Sequence, residues 1–254
     1  MIRVPAAAHT MRILSLLAGS RGPLPAASIA SQLDIPRSSV YQLLEEMRAL
    51  GFVLHYPEER RWGLGPSAFE LAGGFARQQP LARLGRPLVE TLVDRVGESG
   101  HLAVLSGRDV LYLVEERAPR RPSLVTDVGV RLPAHLTATG RAMLAALPPS
   151  QLRALYPDAA AFTSRDEQPW TYRRLKDELE RVRARGYATE HGEVTPEFAS
   201  VGAVVHDRSG WPAAAIALTF REQDSSPDQR EHWARSVRDS ALELERRIRP
   251  RGTA

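Results

Sequence analysis

The stretch from Ser28 to Leu64 admits few folds, because a proline and a glycine cut it into short pieces with clear periodicity. SIASQL is a short amphipathic segment that would bury Ile29 and Leu33, and Asp34–Ile35–Pro36 ends it as a tight turn. Pro36 is suited to start a new helix, since its fixed φ is helical and its missing N–H has no partner to lose there. Val40, Leu43, Leu44 and Met47 then recur at i, i+3, i+4 and i+7, the spacing of one buried helical face, and Gly51 stops the helix. FVLHY and RRWGL read as two strands joined across Pro57–Glu58–Glu59. Upstream, Ala7, Met11, Leu14 and Leu17–Ala18 share one helical face until RGPLP breaks the pattern. Residues 1–65 are thus expected to form three helices and a hairpin.

Two helices meeting at a tight turn can lay the second in the major groove of DNA, provided its N-terminal half presents polar side chains outward. With Val40, Leu44 and Met47 facing inward, Ser38 and Gln42 point directly away, and Arg37, Ser39 and Tyr41 flank them. Gln42 suits adenine, Arg37 suits guanine or a phosphate, and the serines suit either. Arg60 and Arg61 sit near the hairpin tip, where a wing would meet a phosphate or the minor groove. Ser28 is positioned to cap the second helix and aim its N-terminus at a phosphate. Charge adds little: residues 1–65 hold seven Arg and five acids, 7 − 5 = +2. Three amphipathic helices and a hairpin could also make a small domain without DNA contacts, the less favoured reading.

Residues 66–80, PSAFELAGGFARQQP, read as a connecting helix weakened by Gly73–Gly74. Beyond it, helices and strands alternate. LARLGRPLVETLVDRVG is a helix, HLAVLSG and VLYLVEE are strands joined at Gly107–Arg108–Asp109, and SLVTDVG is expected as a third strand. TATGRAMLAAL and YRRLKDELERVRARG are helices, the second a solvated face laced by i, i+4 charge pairs. ASVGAVVHD and WPAAAIALTF form a hairpin on Asp207–Arg208–Ser209–Gly210, and SPDQREHWARSVRDSALELERRI closes the chain as a helix. Strands joined by hairpins predict a mainly antiparallel sheet with helices packed on it, hence an α+β architecture.

Composition excludes several chemistries. The chain has 254 residues, 43% of them hydrophobic and 25% charged, enough to bury a sizeable core. It contains no cysteine, which removes disulfides, thiolate metal sites and a thiol nucleophile, and fits a cytoplasmic protein. The net charge of +4 and isoelectric point of about 9.8 suit a nucleic-acid partner only weakly. The apolar run Ile13–Ala18 is too short to span a membrane, and no membrane partner is expected. Gly63–Leu64–Gly65–Pro66–Ser67–Ala68 matches a dinucleotide fingerprint by letter only, since its strand belongs to a short hairpin and residues 82–89 hold no acid. The histidines are scattered, with no i, i+4 pair on a helix, and His101 and His135 read as core or pocket residues. No cofactor, metal or catalytic residue is expected.

Several segments carry a family resemblance in order along the chain. SIASQLDIPRSSVYQLLEEMRALGFV and RRWGLG resemble the DNA-binding domain of IclR-type bacterial transcription regulators. LPAHLTATGRAMLA, LERVRARGYATEH and VVHDRSGWPAAAIAL resemble their effector-binding domain. The resemblance implies a winged helix-turn-helix over 1–65, a linker helix over 66–80 and a GAF-like effector-binding domain over 81–254. It implies DNA as partner through a palindromic operator, pairing into a homodimer or a dimer of dimers, and a small organic, possibly aromatic, acid as effector. Carried over by motif, the effector site comprises Ala138 and Thr139 at a helix start, Glu190, Phe198 and Ser200, Ala217 and Thr219, with Leu124 closing it from the expected third strand. From the residues themselves, the start of LTATG is either an anion seat or a helix capped by threonine. This sequence departs from the family's pattern at Glu197–Phe198, where a glycine and an aliphatic or basic residue are usual, and at Ala217, where a hydroxyl is common. An enzyme with an appended helical module, and an adaptor whose third helix binds protein, are the alternatives; the polar face of Ser38, Ser39 and Gln42 argues against the adaptor.

Overall fold

The computed structural model describes residues 4–20, 22–71, 80–119, 121, 124, 126–163 and 169–248. The chain divides into two compact units, Met1–Gln79 and Pro80–Ala254. Of the connecting helix expected over 66–80, residues 66–71 are helical, and 72–79 lie outside the described residues.

The first unit contains α1 (Pro5–Ala18), β1 (Leu24–Pro25), α2 (Ala26–Leu33), α3 (Arg37–Ala49), β2 (Val53–Tyr56) and β3 (Arg61–Leu64). β1, which the sequence did not suggest, adds to the hairpin to give a three-stranded antiparallel sheet in the order β1–β3–β2. Ile13, Ile29, Val40, Leu44 and Val53 are fully buried together, with Met47 and Trp62 beside them. α1 is rotated from the expected face: Ile13 and Leu17 are buried, whereas Met11 is 63% exposed and Ala7 and Ala18 face solvent. The inward stripe follows Ile13 and Leu17, one turn apart, and Met11 falls outside it. α2 ends at Asp34 in the left-handed conformation, φ 53° and ψ 53°, and Ile35 N–H donates to the Ala30 carbonyl at 3.0 Å. Pro36 is the residue just before α3, so the helix begins at Arg37.

The second unit contains α4 (Pro80–Val96), β4 (Ser99–Ser106), β5 (Asp109–Glu116), β6 (Arg131–Pro133), α5 (Ala138–Ala146), α6 (Pro149–Leu155), α7 (Tyr172–Arg185), β7 (Ala188–His191), β8 (Phe198–His206), β9 (Pro212–Arg221) and α8 (Pro227–Ile248). Six strands lie in the order β6–β5–β4–β9–β8–β7, and every neighbouring pair is antiparallel. Strand alternation splits the core into two layers. Ile216, Leu218 and Phe220 of β9 join Val89 and Leu92 of α4 and Val237 and Leu244 of α8 on one face. Ala215 joins Met143 and Leu144 of α5 and Leu175 and Leu179 of α7 on the other.

In the expected strand SLVTDVG, residues 123 and 125 lie outside the described residues, and Leu124 and 126–129 are not in a strand. The third strand is Arg131–Pro133, and 127–130 make a turn in which Val130 N–H donates to the Asp127 carbonyl and Gly129 adopts φ 86°. Gly129 N–H donates to the Tyr112 carbonyl at 2.9 Å and Tyr112 N–H to the Val130 carbonyl at 3.1 Å, but the positive φ bends the chain there, and the regular ladder with β5 begins at Arg131. α6 and β7 are further elements that the sequence reading left out.

Candidate functional site

Two sets of residues are at issue, one in each unit. In the first, α3 directs Val40, Leu44 and Met47 inward and leaves Arg37, Ser38, Tyr41 and Gln42 exposed, with Ser39 half-buried. This is the arrangement that places the N-terminal half of a helix free to enter a groove. Farther along, Glu45 is held by Arg48 at 2.8 Å and Glu46 is exposed. The wing places Arg60 in the turn at φ 53°, with its side chain unbonded to any described residue, while Arg61 leans back to the Pro23 carbonyl at 3.2 Å. Ser28 does not cap α2. The residue before the helix is Pro25, and Ser28 lies inside the first turn, accepting a hydrogen bond from Gln32 at 2.9 Å. The helix starts earlier than expected because Leu24–Pro25 is tied into the sheet.

In the second unit, Leu124, Ala138, Thr139, Glu190, Phe198, Ser200, Ala217 and Thr219 all line one cavity. Leu124 reaches it from an irregular segment, not a strand. Its floor is the sheet. The register aligns Glu190, Ser200, Thr219 and Ser99 across β7, β8, β9 and β4. Ser200 donates to Glu190 at 2.9 Å and shares a hydrogen bond with Thr219 at 3.0 Å, so three of the four form a chain. Two residues along, the next row is Gly202, Ala217 and His101.

The roof is the start of α5. Thr137 caps it, accepting from Gly140 N–H at 3.0 Å. Capping therefore occurs, yet it satisfies only one of the helix's first N–H groups, and those of Ala138 and Thr139 lie beyond the cap's reach. The helix start rests directly on β8 at Gly202, where a Cβ would fall 2.9 Å from the Ala138 carbonyl carbon and 3.1 Å from the Thr139 nitrogen. Glycine is required there because main chain meets main chain.

Burial governs the electrostatics. It pushes the Glu190 carboxyl up to about 7, against hydrogen bonds from Val194 N–H and Ser200 that favour the charged form. It pushes the His101 imidazole down to about 4, so the ring is neutral. The Tyr112 phenol, hydrogen-bonded to Thr139, rises to about 12. Arg141, behind this wall, is consumed by other acceptors: the carbonyls of His135 at 2.8 Å and Thr189 at 2.7 Å, and Glu193 at 2.6 Å.

The sequence reading did not assign Tyr112, Thr126, Thr137, Val194 and Thr195 to the lining, and read His101 only as a core or pocket residue. The signal was present on β4, where Ser99 and His101 alternate with apolar positions. Glu197 is not in the lining; it is exposed at φ 70° in a turn closed by Phe198 N–H donating to the Thr195 carbonyl at 3.1 Å. Pro196 precedes it, so Glu197 holds the third position of a type II turn, where glycine is favoured. Gly65, in the fingerprint-like motif, crosses the main chain at Gly51, a packing role. Among the described residues, no cluster of three or more metal-binding side chains occurs, and no helix is long and apolar enough to cross a membrane.

Comparison with known proteins bears on both units. Residues 6–55 match the IclR helix-turn-helix domain, and residues 74–246 match the bacterial transcriptional regulator IclR C-terminal domain. The HTH-type transcriptional regulator BhcR of Paracoccus denitrificans is 29% identical over 246 residues, covering 97% of this chain and 88% of the relative. The glycerol operon regulatory protein of Streptomyces coelicolor is 30% identical over 241 residues, covering 92% of each. The fold matches an IclR homologue of Microbacterium hydrocarbonoxydans, crystallised with 4-hydroxybenzoate, with a TM-score of 0.81 at 22% identity over 97% of this chain and all of the other. The chain belongs to the IclR family of bacterial transcription regulators, with a helix-turn-helix DNA-binding domain followed by the family's C-terminal domain.

Proposed function

We propose that this regulator binds a palindromic operator through the N-terminal half of α3 and the wing, and that a small organic acid in the cavity of the second unit controls its affinity for DNA. The observation that carries the reading is the cavity itself, closed between a helix start and a polar row of the sheet. Main-chain N–H groups at a helix start favour an anion, and Phe198, Ala217 and Leu124 suit an apolar or aromatic body. Glu190 does not oppose this, because a buried carboxyl that is easily protonated can donate to a carboxylate instead of repelling it. That an IclR homologue of the same fold was crystallised with 4-hydroxybenzoate supports an acid of this kind.

On DNA, Arg37, Ser38, Ser39, Tyr41 and Gln42 read or border base edges, Arg60 and Arg61 meet the backbone, and Ser28 faces a phosphate from α2. One α3 reads one half-site, so the working unit is a homodimer or a dimer of dimers on half-sites about one helical turn apart, or a multiple of it. An effector changes DNA affinity only through unequal affinity for two arrangements of the heads.

The test is binding of the full chain to DNA upstream of its own gene across a salt series. A steep negative slope is expected, and Arg37→Ala should cost about 1–3 kcal/mol. A flat slope with Arg37→Ala and Gln42→Ala both silent would refute the DNA reading. A thermal-shift screen of small organic acids, followed by operator binding with each hit, tests the effector reading; hits that leave operator affinity unchanged would overturn it.

A further inference from the structure

His101 has a buried imidazole that the fold does not use. It is 1% exposed, and among the described residues neither ring nitrogen has a hydrogen-bond partner. Thr126, also buried and also lining the cavity, has an unpartnered hydroxyl among the described residues. An unpartnered buried polar group is costly, so two facing one cavity favour a ligand that satisfies them. The strand register explains why the ring is free. His101 lies opposite Ala217, which offers a methyl, and its ring stands edge-to-face with Tyr112, the centroids 5.7 Å apart.

We propose that His101, with Thr126, forms a second polar end of the cavity that hydrogen-bonds a hydroxyl group, so that the effector of this chain is a hydroxylated acid. The inference rests on the cavity being the effector site. A neutral imidazole presents one donor and one acceptor, as does a threonine hydroxyl, and a hydroxyl group can match both. Only burial perturbs the ring; no charged neighbour prepares it for an anion. The acid end belongs at the start of α5, over β8. His101 on β4 is two strand spacings from β8, roughly 10 Å, which sets the hydroxyl end apart from the acid end.

The experiment is calorimetric titration of the full chain with benzoate, 3-hydroxybenzoate, 4-hydroxybenzoate and phenol, on wild type, His101→Phe and His101→Gln. Wild type should bind the better hydroxybenzoate about tenfold more tightly than benzoate. His101→Phe should bring that ratio close to one, and His101→Gln should keep part of it. In nitrogen NMR, one histidine ring should shift with the hydroxybenzoate and not with benzoate. If His101→Phe fails to fold, Thr126→Val carries the same comparison. An unchanged ratio in the variants, or no preference in wild type, overturns the proposal and leaves the acid reading intact. Phenol binding that depends on His101, with none of the three acids binding, sinks the acid reading and with it the hydroxylated acid, leaving His101 as a hydroxyl site alone. Failure of all four probes sinks both.

Discussion

Replacing Glu190 by Gln should change how stability depends on pH. Glu190 is 2% exposed, and burial raises its carboxyl from an ordinary 4.5 to about 7. Between those values the folded chain holds a proton that the unfolded chain has released, so stability falls as pH rises through the window and is level above it. At 1.36 kcal/mol per pH unit, the gap corresponds to about 3 kcal/mol. Glutamine keeps the shape and an acceptor for Ser200 but does not titrate. Urea unfolding from pH 4.5 to 8, followed by the buried Trp170 and Trp233, measures the difference between the two proteins. Relative to wild type, Glu190→Gln should gain about 3 kcal/mol between pH 4.5 and 7 and nothing more above 7. Parallel curves for the two proteins would refute the account. The same proton governs an anionic effector: benzoate affinity in wild type should weaken up to about tenfold per pH unit above 7 and be level in the variant.

Two further outcomes follow from the main chain. Gly202→Ala sets a methyl against the Ala138–Thr139 backbone, which cannot yield without lifting α5, so effector affinity should fall by about tenfold or more, with a lower melting temperature; unchanged titration would contradict the close approach. Glu197→Gly relieves a left-handed residue in an exposed turn and should raise unfolding free energy by about 0.5–1 kcal/mol, a gain that denaturant unfolding resolves and that a loss would disprove.

The elements legible in the sequence were those with strong periodicity and clear stops: α3 between Pro36 and Gly51, α7 up to Gly186, and the β8–β9 hairpin on Asp207–Gly210. The misreadings have physical causes. SLVTDVG has strand-like composition, but the turn at Gly129 decides where β6 pairs. β1 is two residues long and exists only because β3 offers an edge, which local pattern cannot reveal. In α1, Met11 was as apolar as Ile13, and only tertiary packing chose between them. For the site, motif resemblance located residues on three strands, a helix and an irregular segment that spacing alone could not have brought together. His101 and Thr126 belong to it through cross-strand register and an irregular crossing segment, neither of which leaves a period to read.

The contact of α5 with β8 has a consequence for how such a sensor diversifies. One wall of its chamber is peptide backbone pressed on backbone at Gly202 and Gly140, and substitutions there threaten the helix itself. If the cavity takes the proposed effector, that wall fixes the main-chain groups offered to its acid end, and the side chains of the neighbouring strands are left to set which acid fits.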